Sequence, residues 1–147
     1  MISLLKNLLC RSSISPNDKG CQNIISDELE KIGFKCYALN KNDTSNLWAI
    51  FGNTKPIFCF CGHTDVVPQG NLSLWKYQPF KAIIKDNKIY GRGTADMKGA
   101  IAAQLFAVKD YIRINKKIKG SIAFLIISNP SFLKVYFIIQ MASLNSK

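Results

Sequence analysis

Acidic residues are scarce in this sequence, and their placement matters more than their number. Nine Asp and Glu stand against 20 Lys and Arg, and none follows Asp110, so the last 37 residues carry six basic side chains and no carboxylate. A site that draws a carboxylate from that stretch is excluded. Histidine is scarcer still, with His63 the only one, which excludes any cluster of histidines within the chain. The five cysteines, Cys10, Cys21, Cys36, Cys59 and Cys61, are odd in number and irregular in spacing. They do not form a disulfide framework and read as reduced thiols of a cytoplasmic protein. No apolar run approaches the ~20 residues a membrane span requires. Residues 2–9 are apolar at helical spacing, but too short and wrongly flanked for a secretory signal, and residues 132–142 make a run of only eleven. No membrane partner is expected.

What is present suits one globular domain: 147 residues, 48% of them hydrophobic. The net charge of +11 and pI near 9.6 invite a nucleic-acid reading. The arrangement argues against it, because lysines are scattered from Lys6 to Lys147 and the one dense run is Lys116-Lys117-Ile118-Lys119. No basic stripe or aromatic-interleaved patch forms, so no nucleic-acid partner is expected.

Along the chain, Ser15-Pro16-Asn17-Asp18 signals a turn and a helix start, followed by apolar residues at Cys21, Ile24, Ile25, Leu29 and Ile32 before Gly33. Residues 34–39, 47–51 and 57–61 are short runs of strand formers between Asn, Asp, Gly and Pro. Residues 62–80 read as loop, and Asp86-Asn87 joins 81–84 to 88–90 as a hairpin. From Asp96 the pattern is helical, with Ile101, Leu105, Val108, Tyr111 and Ile112 on one face and an end near 115–117. Gly120 to Ile127 is nearly continuous apolar sequence, the pattern of a strand buried on both faces of an α/β sheet.

Three groups of residues could carry chemistry. Gly62-His63-Thr64-Asp65 directly follows an apolar strand, where open α/β sheets place ligand-binding groups. His63 reads either as a hydrogen-bonded structural histidine or as a metal ligand supported by Asp65. Gly91-Arg92-Gly93-Thr94-Ala95-Asp96-Met97-Lys98-Gly99 lies at a helix entry, where Asp96 reads as an ordinary N-cap worth ~1 kcal/mol. Its glycines match neither the dinucleotide nor the phosphate-loop spacing, so no nucleotide is expected. Cys59, Cys61 and His63 alternate along a strand, giving either a Cys/Cys/His metal site or, the reading adopted, small buried apolar residues.

Taken together these residues resemble the dinuclear-zinc amidohydrolases and peptidases of the M20 type, and within them the succinyl-diaminopimelate desuccinylase branch. The similarity runs from the N-terminus to about Ser128. It rests on Ser13-Ile14-Ser15-Pro16 with Asp18 and Gly20-Cys21-Gln22, on Asn46-Leu47-Trp48-Ala49, on Gly62 to Pro68 with Gly70, on Trp75 and Pro79-Phe80, and on Gly91-Arg92-Gly93 with Asp96-Met97-Lys98-Gly99. The resemblance implies an α/β fold: the amino-terminal half of a zinc-aminopeptidase-like catalytic domain, a mixed sheet flanked by helices. It implies that His63 ligates one zinc, that Asp96 bridges two zincs, and that Asp65 is the supporting acid of the catalytic site. Cobalt can replace zinc in that reading, and the substrate is a small anionic molecule carrying several carboxylates, which a basic chain suits. An arginine-pathway deacetylase is the alternative within the family.

The chain departs from the family pattern after Ser128. The family's general base and second-zinc ligand are a pair of glutamates, and Asn129-Pro130-Ser131 stands in their place. A later acidic ligand and a second histidine are missing, as is the dimerisation domain through which the family forms homodimers. The expectation is therefore a partial catalytic domain over residues 1–128 and a non-homologous tail over 129–147, produced by a shifted reading frame. Such a chain holds at most one zinc weakly and is inactive alone, or associates with a separately encoded remainder. Its strand 120–127 is expected to lack neighbours and a covering layer.

Overall fold

A computed structural model describes residues 1–40, 44–115 and 117–129. Pro130, Ser131 and the rest of the expected tail lie outside the described residues, of which Asn129 is the last.

The first helix, α1 (Ile2–Leu9), buries Leu5, Leu8 and Leu9. The second, α2 (Cys21–Glu30), buries Cys21, Ile25 and Leu29, one residue per turn on a single face. Its free amides are met from outside the helix: the Asp18 carboxylate accepts from the Gln22 N–H at 3.0 Å. Four strands follow as a mixed sheet in the order β1-β2-β6-β3. β1 (Lys35–Ala38) runs antiparallel to β2 (Asn46–Phe51), and β2 antiparallel to β6 (Ser121–Ile127), from Asn46 opposite Ile127 to Phe51 opposite Ile122. β3 (Ile57–His63) pairs parallel with β6, ending with His63 beside Ile127. The strand thus continues two residues past its expected end and carries His63 itself.

β6 does not lack neighbours, contrary to the sequence expectation. It is paired on both sides, and all seven of its residues are buried. The edge strands are β1 and β3, and on β3 Phe58 is 63% exposed. On one face of the sheet Ile122, Phe124 and Ile126 pack with Leu8, Ile25, Leu29, Ile101 and Leu105. Phe124 is the centre of this layer, stacked on Phe60 at 5.0 Å and edge-on to Phe34 at 5.8 Å. On the other face Ala123, Leu125 and Ile127 gather with Trp48.

The hairpin forms as read, between β4 (Ile83–Lys85) and β5 (Lys88–Tyr90). Asp86 and Asn87 both take left-handed backbone, φ 51° and 57°, as a two-residue turn with the twist of its strands requires. α3 (Gly99–Ile114) begins later than expected and buries Ile101, Ala102, Leu105 and Val108, whereas Tyr111 faces solvent. Among the described residues no helix is long and apolar enough to cross a membrane. The fold is a mixed α/β sheet with helices, as expected.

Candidate metal centre

The parallel pairing of β3 with β6 delivers His63 to the carboxyl end of the sheet's interior. Its ring is fixed from both sides. Nδ1 lies 3.0 Å from the Asp65 carbonyl oxygen and 3.3 Å from Asp65 Oδ1, while Nε2 lies 3.2 Å from Asp96 Oδ1. A carbonyl can only accept, so this network assigns the proton to Nδ1 and leaves the Nε2 lone pair facing a carboxylate.

Asp65 and Asp96 differ in exposure. The Asp65 side chain is 5% exposed and takes a hydrogen bond from the Ser15 hydroxyl, while that of Asp96 is 85% exposed. The buried acid therefore positions the imidazole, and the open one is accessible to a ligand. Asp96 is not an N-cap, in contrast to the local reading of the sequence. Its backbone is extended (φ −133°, ψ 102°) inside an irregular turn over Thr94–Lys98, and α3 starts only after it. Gly93 allows that turn to lie against the His63 segment: it has φ 84°, and a Cβ there would stand 2.8 Å from Val66 Cγ1.

Two acceptor atoms 3.2 Å apart need positive charge between them, either a proton on Nε2 or a metal ion. The spacing suits the ion: zinc ligands at about 2.0–2.2 Å on tetrahedral directions stand roughly 3.4 Å from each other. A metal-bound histidine that donates its other N–H to a carbonyl or carboxylate is a common arrangement. His63 and Asp96 therefore fit a shared divalent cation. Among the described residues no group of three or more His, Cys, Asp and Glu converges for a metal. That removes the Cys/Cys/His alternative, and Cys59 and Cys61 are also not the buried residues expected, since both are exposed.

His63, Asp65 and Asp96 line one cleft of about 700 Å³ together with Ser15, Arg92 and Asn129. Among the described residues that line the cleft, Arg92 is the one Lys or Arg. Its guanidinium lies 5.0 Å from the Trp75 ring and donates through Nη2 to the Pro68 carbonyl at 3.3 Å.

The supporting residues Ser13, Ser15, Asp18, Thr64 and Lys98 lie in the motifs named above, but their roles escaped the sequence reading. Thr64 donates to Asp18 at 2.6 Å, Ser13 donates to the Thr64 carbonyl at 2.7 Å, and the Ser15 and Val66 amides bond across to the carbonyls of Val66 and Ser13. Residues 13–18 thus clamp the segment 64–66 from outside the sheet. Lys98 is fully buried, its ammonium donating to the carbonyls of Leu8 at 2.8 Å and Arg11 at 2.9 Å. Burial pushes the Lys98 amine down from its ordinary value, against the opposing pull of Cys21 and Asp18. The only signal available was a polar residue in each apolar context, which has no period.

Comparison with known proteins covers this part of the chain. The model of peptidase family M20/M25/M40 matches residues 59–129, which contain the whole His63–Asp96 arrangement. The chain is 48% identical over 129 residues to succinyl-diaminopimelate desuccinylase of Psychromonas ingrahamii and 44% identical over 129 residues to that of Shewanella pealeana, covering 88% of this chain in both cases. This chain resembles the amino-terminal part of M20 enzymes. It spans about a third (34%) of the length of the curated relatives it matches. Among solved structures, an M20 family metallo-carboxypeptidase from Sulfolobus solfataricus superposes with TM-score 0.74 at 29% identity, over 83% of this chain and 29% of that one. Human carnosine dipeptidase 1 superposes with TM-score 0.74 at 25% identity, over 85% of this chain and 31% of that one. The region matched by the family model carries His63 at the end of β3 and Asp96 on the irregular turn before α3.

Proposed function

We propose that this M20-like chain carries the first half of a dinuclear amidohydrolase centre directed at N-succinyl-LL-2,6-diaminopimelate, which such a centre cleaves to succinate and LL-2,6-diaminopimelate. The observation that supports the reading is the approach of His63 Nε2 to Asp96 Oδ1 at 3.2 Å at the mouth of the cleft. In this reading His63 would hold one zinc, Asp96 would be a ligand shared between two, and Asp65 holds the imidazole with Nε2 turned outward. Paired zinc ions supply Lewis-acid polarisation of an amide carbonyl and a lowered pKa for bound water. The chain's own contribution is placement: Ser15 orients Asp65, Asp65 orients His63, and Arg92 gives the cleft a cation for an anionic substrate.

The same reading makes the chain incomplete. Asn129-Pro130-Ser131 stands in place of the glutamate pair, and neither Pro130 nor Ser131 can accept a proton from zinc-bound water at neutral pH. Residues 1–128 are then a partial catalytic domain and 129–147 a non-homologous tail, and the nucleotide sequence beyond codon 128 checks this by showing a Glu-Glu pair in another frame. Two protein ligands hold at most one zinc, weakly, since catalytic zinc sites use three.

Calorimetric titration of zinc tests the assignment, using a chain with Cys59→Ser and Cys61→Ser so that the exposed thiols do not compete. A single weak binding event, abolished by His63→Ala and by Asp96→Ala, is the expected result. Two tight zincs, or binding that survives both substitutions together, would overturn it.

A further inference from the structure

Cys59 and Cys61 take no part in the cleft, yet they form a second place where a metal could be held. Both project from the same face of β3, one of the two edge strands of the sheet. Their Sγ atoms are 4.0 Å apart and both residues are exposed. Residues two apart in an extended strand have Cα atoms about 6.6 Å apart, near the upper limit for a disulfide, so a direct S–S bond would require this strand to contract.

An ion between the sulfurs needs no such movement. Two thiolates bound at about 2.3 Å to one ion are roughly 3.8 Å apart at the tetrahedral angle and 4.6 Å apart in a line. The observed 4.0 Å falls between, at an S–metal–S angle of about 120°. Thiolate pairs of low coordination number select soft monovalent copper over zinc, which prefers four donors. Among the described residues no third His, Cys, Asp or Glu joins the pair.

We propose that Cys59 and Cys61 form a surface site for one soft, thiophilic ion, of which Cu(I) is the representative, separate from the His63–Asp96 centre. The site needs no cleft and no second domain, because both ligands come from one strand whose position is fixed by seven register pairs with β6.

The test is anaerobic titration of the full chain with Cu(I) against a competing chromogenic Cu(I) chelator, with reductant present throughout. One equivalent of Cu(I) should be retained against the chelator, with absorption in the sulfur-to-copper charge-transfer region. Cys59→Ser and Cys61→Ser, each a one-atom change at an exposed position, should each lower the affinity at least tenfold. Cys10→Ser, Cys36→Ser and the double variant His63→Ala/Asp96→Ala should leave it unchanged. Circular dichroism of each variant establishes that the sheet is retained. Retention unaffected by the Cys59 and Cys61 substitutions, or lost on His63→Ala/Asp96→Ala, would overturn the proposal. The last outcome would place copper in the cleft and leave the zinc titration to judge that centre on its own.

Discussion

Gly99 lies directly beneath Thr94 where the irregular turn enters α3, and a Cβ there would overlap the Thr94 carbonyl oxygen. The neighbour is backbone, so the turn that carries Asp96 has to move. Gly99→Ala should therefore cost about 1–3 kcal/mol and weaken zinc binding as well, which urea unfolding and calorimetry on the same sample would read; unchanged values in both would mean that the turn is slack. Cys21 shows a second single-residue effect. Burial pushes its thiol above the ordinary 9.0, tempered by the nearby Lys98 amine. A group whose pKa is higher in the folded state stabilises fully below its unfolded value and loses that contribution as pH climbs through the folded one. The Cys21 contribution should thus fall away above pH 9, so that Cys21→Ala, which keeps the opposing effect of the lowered Lys98 amine, declines less steeply than the parent chain; parallel pH profiles for the two proteins, measured by chemical denaturation, would disprove this origin. These effects were invisible in the sequence, where Cys21 read correctly as an apolar helix position and Lys98, 77 residues on, stood in the Asp96-Met97-Lys98-Gly99 motif with no sign of its burial beside Cys21.

Elements differ in what they tolerate. β6 is buried throughout, and Phe124 in its centre contacts aromatic rings on two other segments. Phe124→Ala should cost about 3–5 kcal/mol, a large part of the 5–15 kcal/mol typical of a domain, and the expected outcome is loss of a cooperative melting transition. β3 is the opposite case. Its outer hydrogen-bonding edge is open and Phe58 is 63% exposed on it, an arrangement prone to edge-to-edge association. Phe58→Lys should suppress concentration-dependent light scattering while moving stability by less than about 1.5 kcal/mol, the scale of the aromatic contact with Phe60 that it gives up. Equal scattering by both proteins would remove the edge as the cause. The sequence revealed both strands and the hairpin, because apolar runs and Asp86-Asn87 are local signals. It misplaced the exposed strand, because strand order is set by pairing between residues more than 60 positions apart, and β3 and β6 have similar composition. Likewise His63, Asp65 and Asp96 were legible as a group through their motifs, whereas the exposure of Cys59 and Cys61 depends on which strand ends the sheet.

At the scale of the whole molecule, the cleft has an imidazole, a supporting acid, an accessible acid, a guanidinium and the Asn129 amide. A missing general base costs 10²–10⁴-fold, and losing a second metal removes further charge stabilisation. The expected result is no measurable succinate release from N-succinyl-diaminopimelate by the purified chain with zinc or cobalt, and no rescue by Pro130→Glu with Ser131→Glu, since a later acid and a second histidine are still missing. Turnover that disappears on His63→Ala would mean that a partner supplies the absent groups. The order of strands also has a consequence in time. β6 joins β2 to β3, yet it is the last of the four to be made, and Asn46 waits for Ile127 to find its partner. Until residue 127 has left the ribosome, a nascent chain holds a β1–β2 hairpin and an unattached β3 with nothing between them. β2 and β3 therefore stay unjoined until residue 127 is available, and the sheet closes late, the situation in which a folding chain depends most on chaperones.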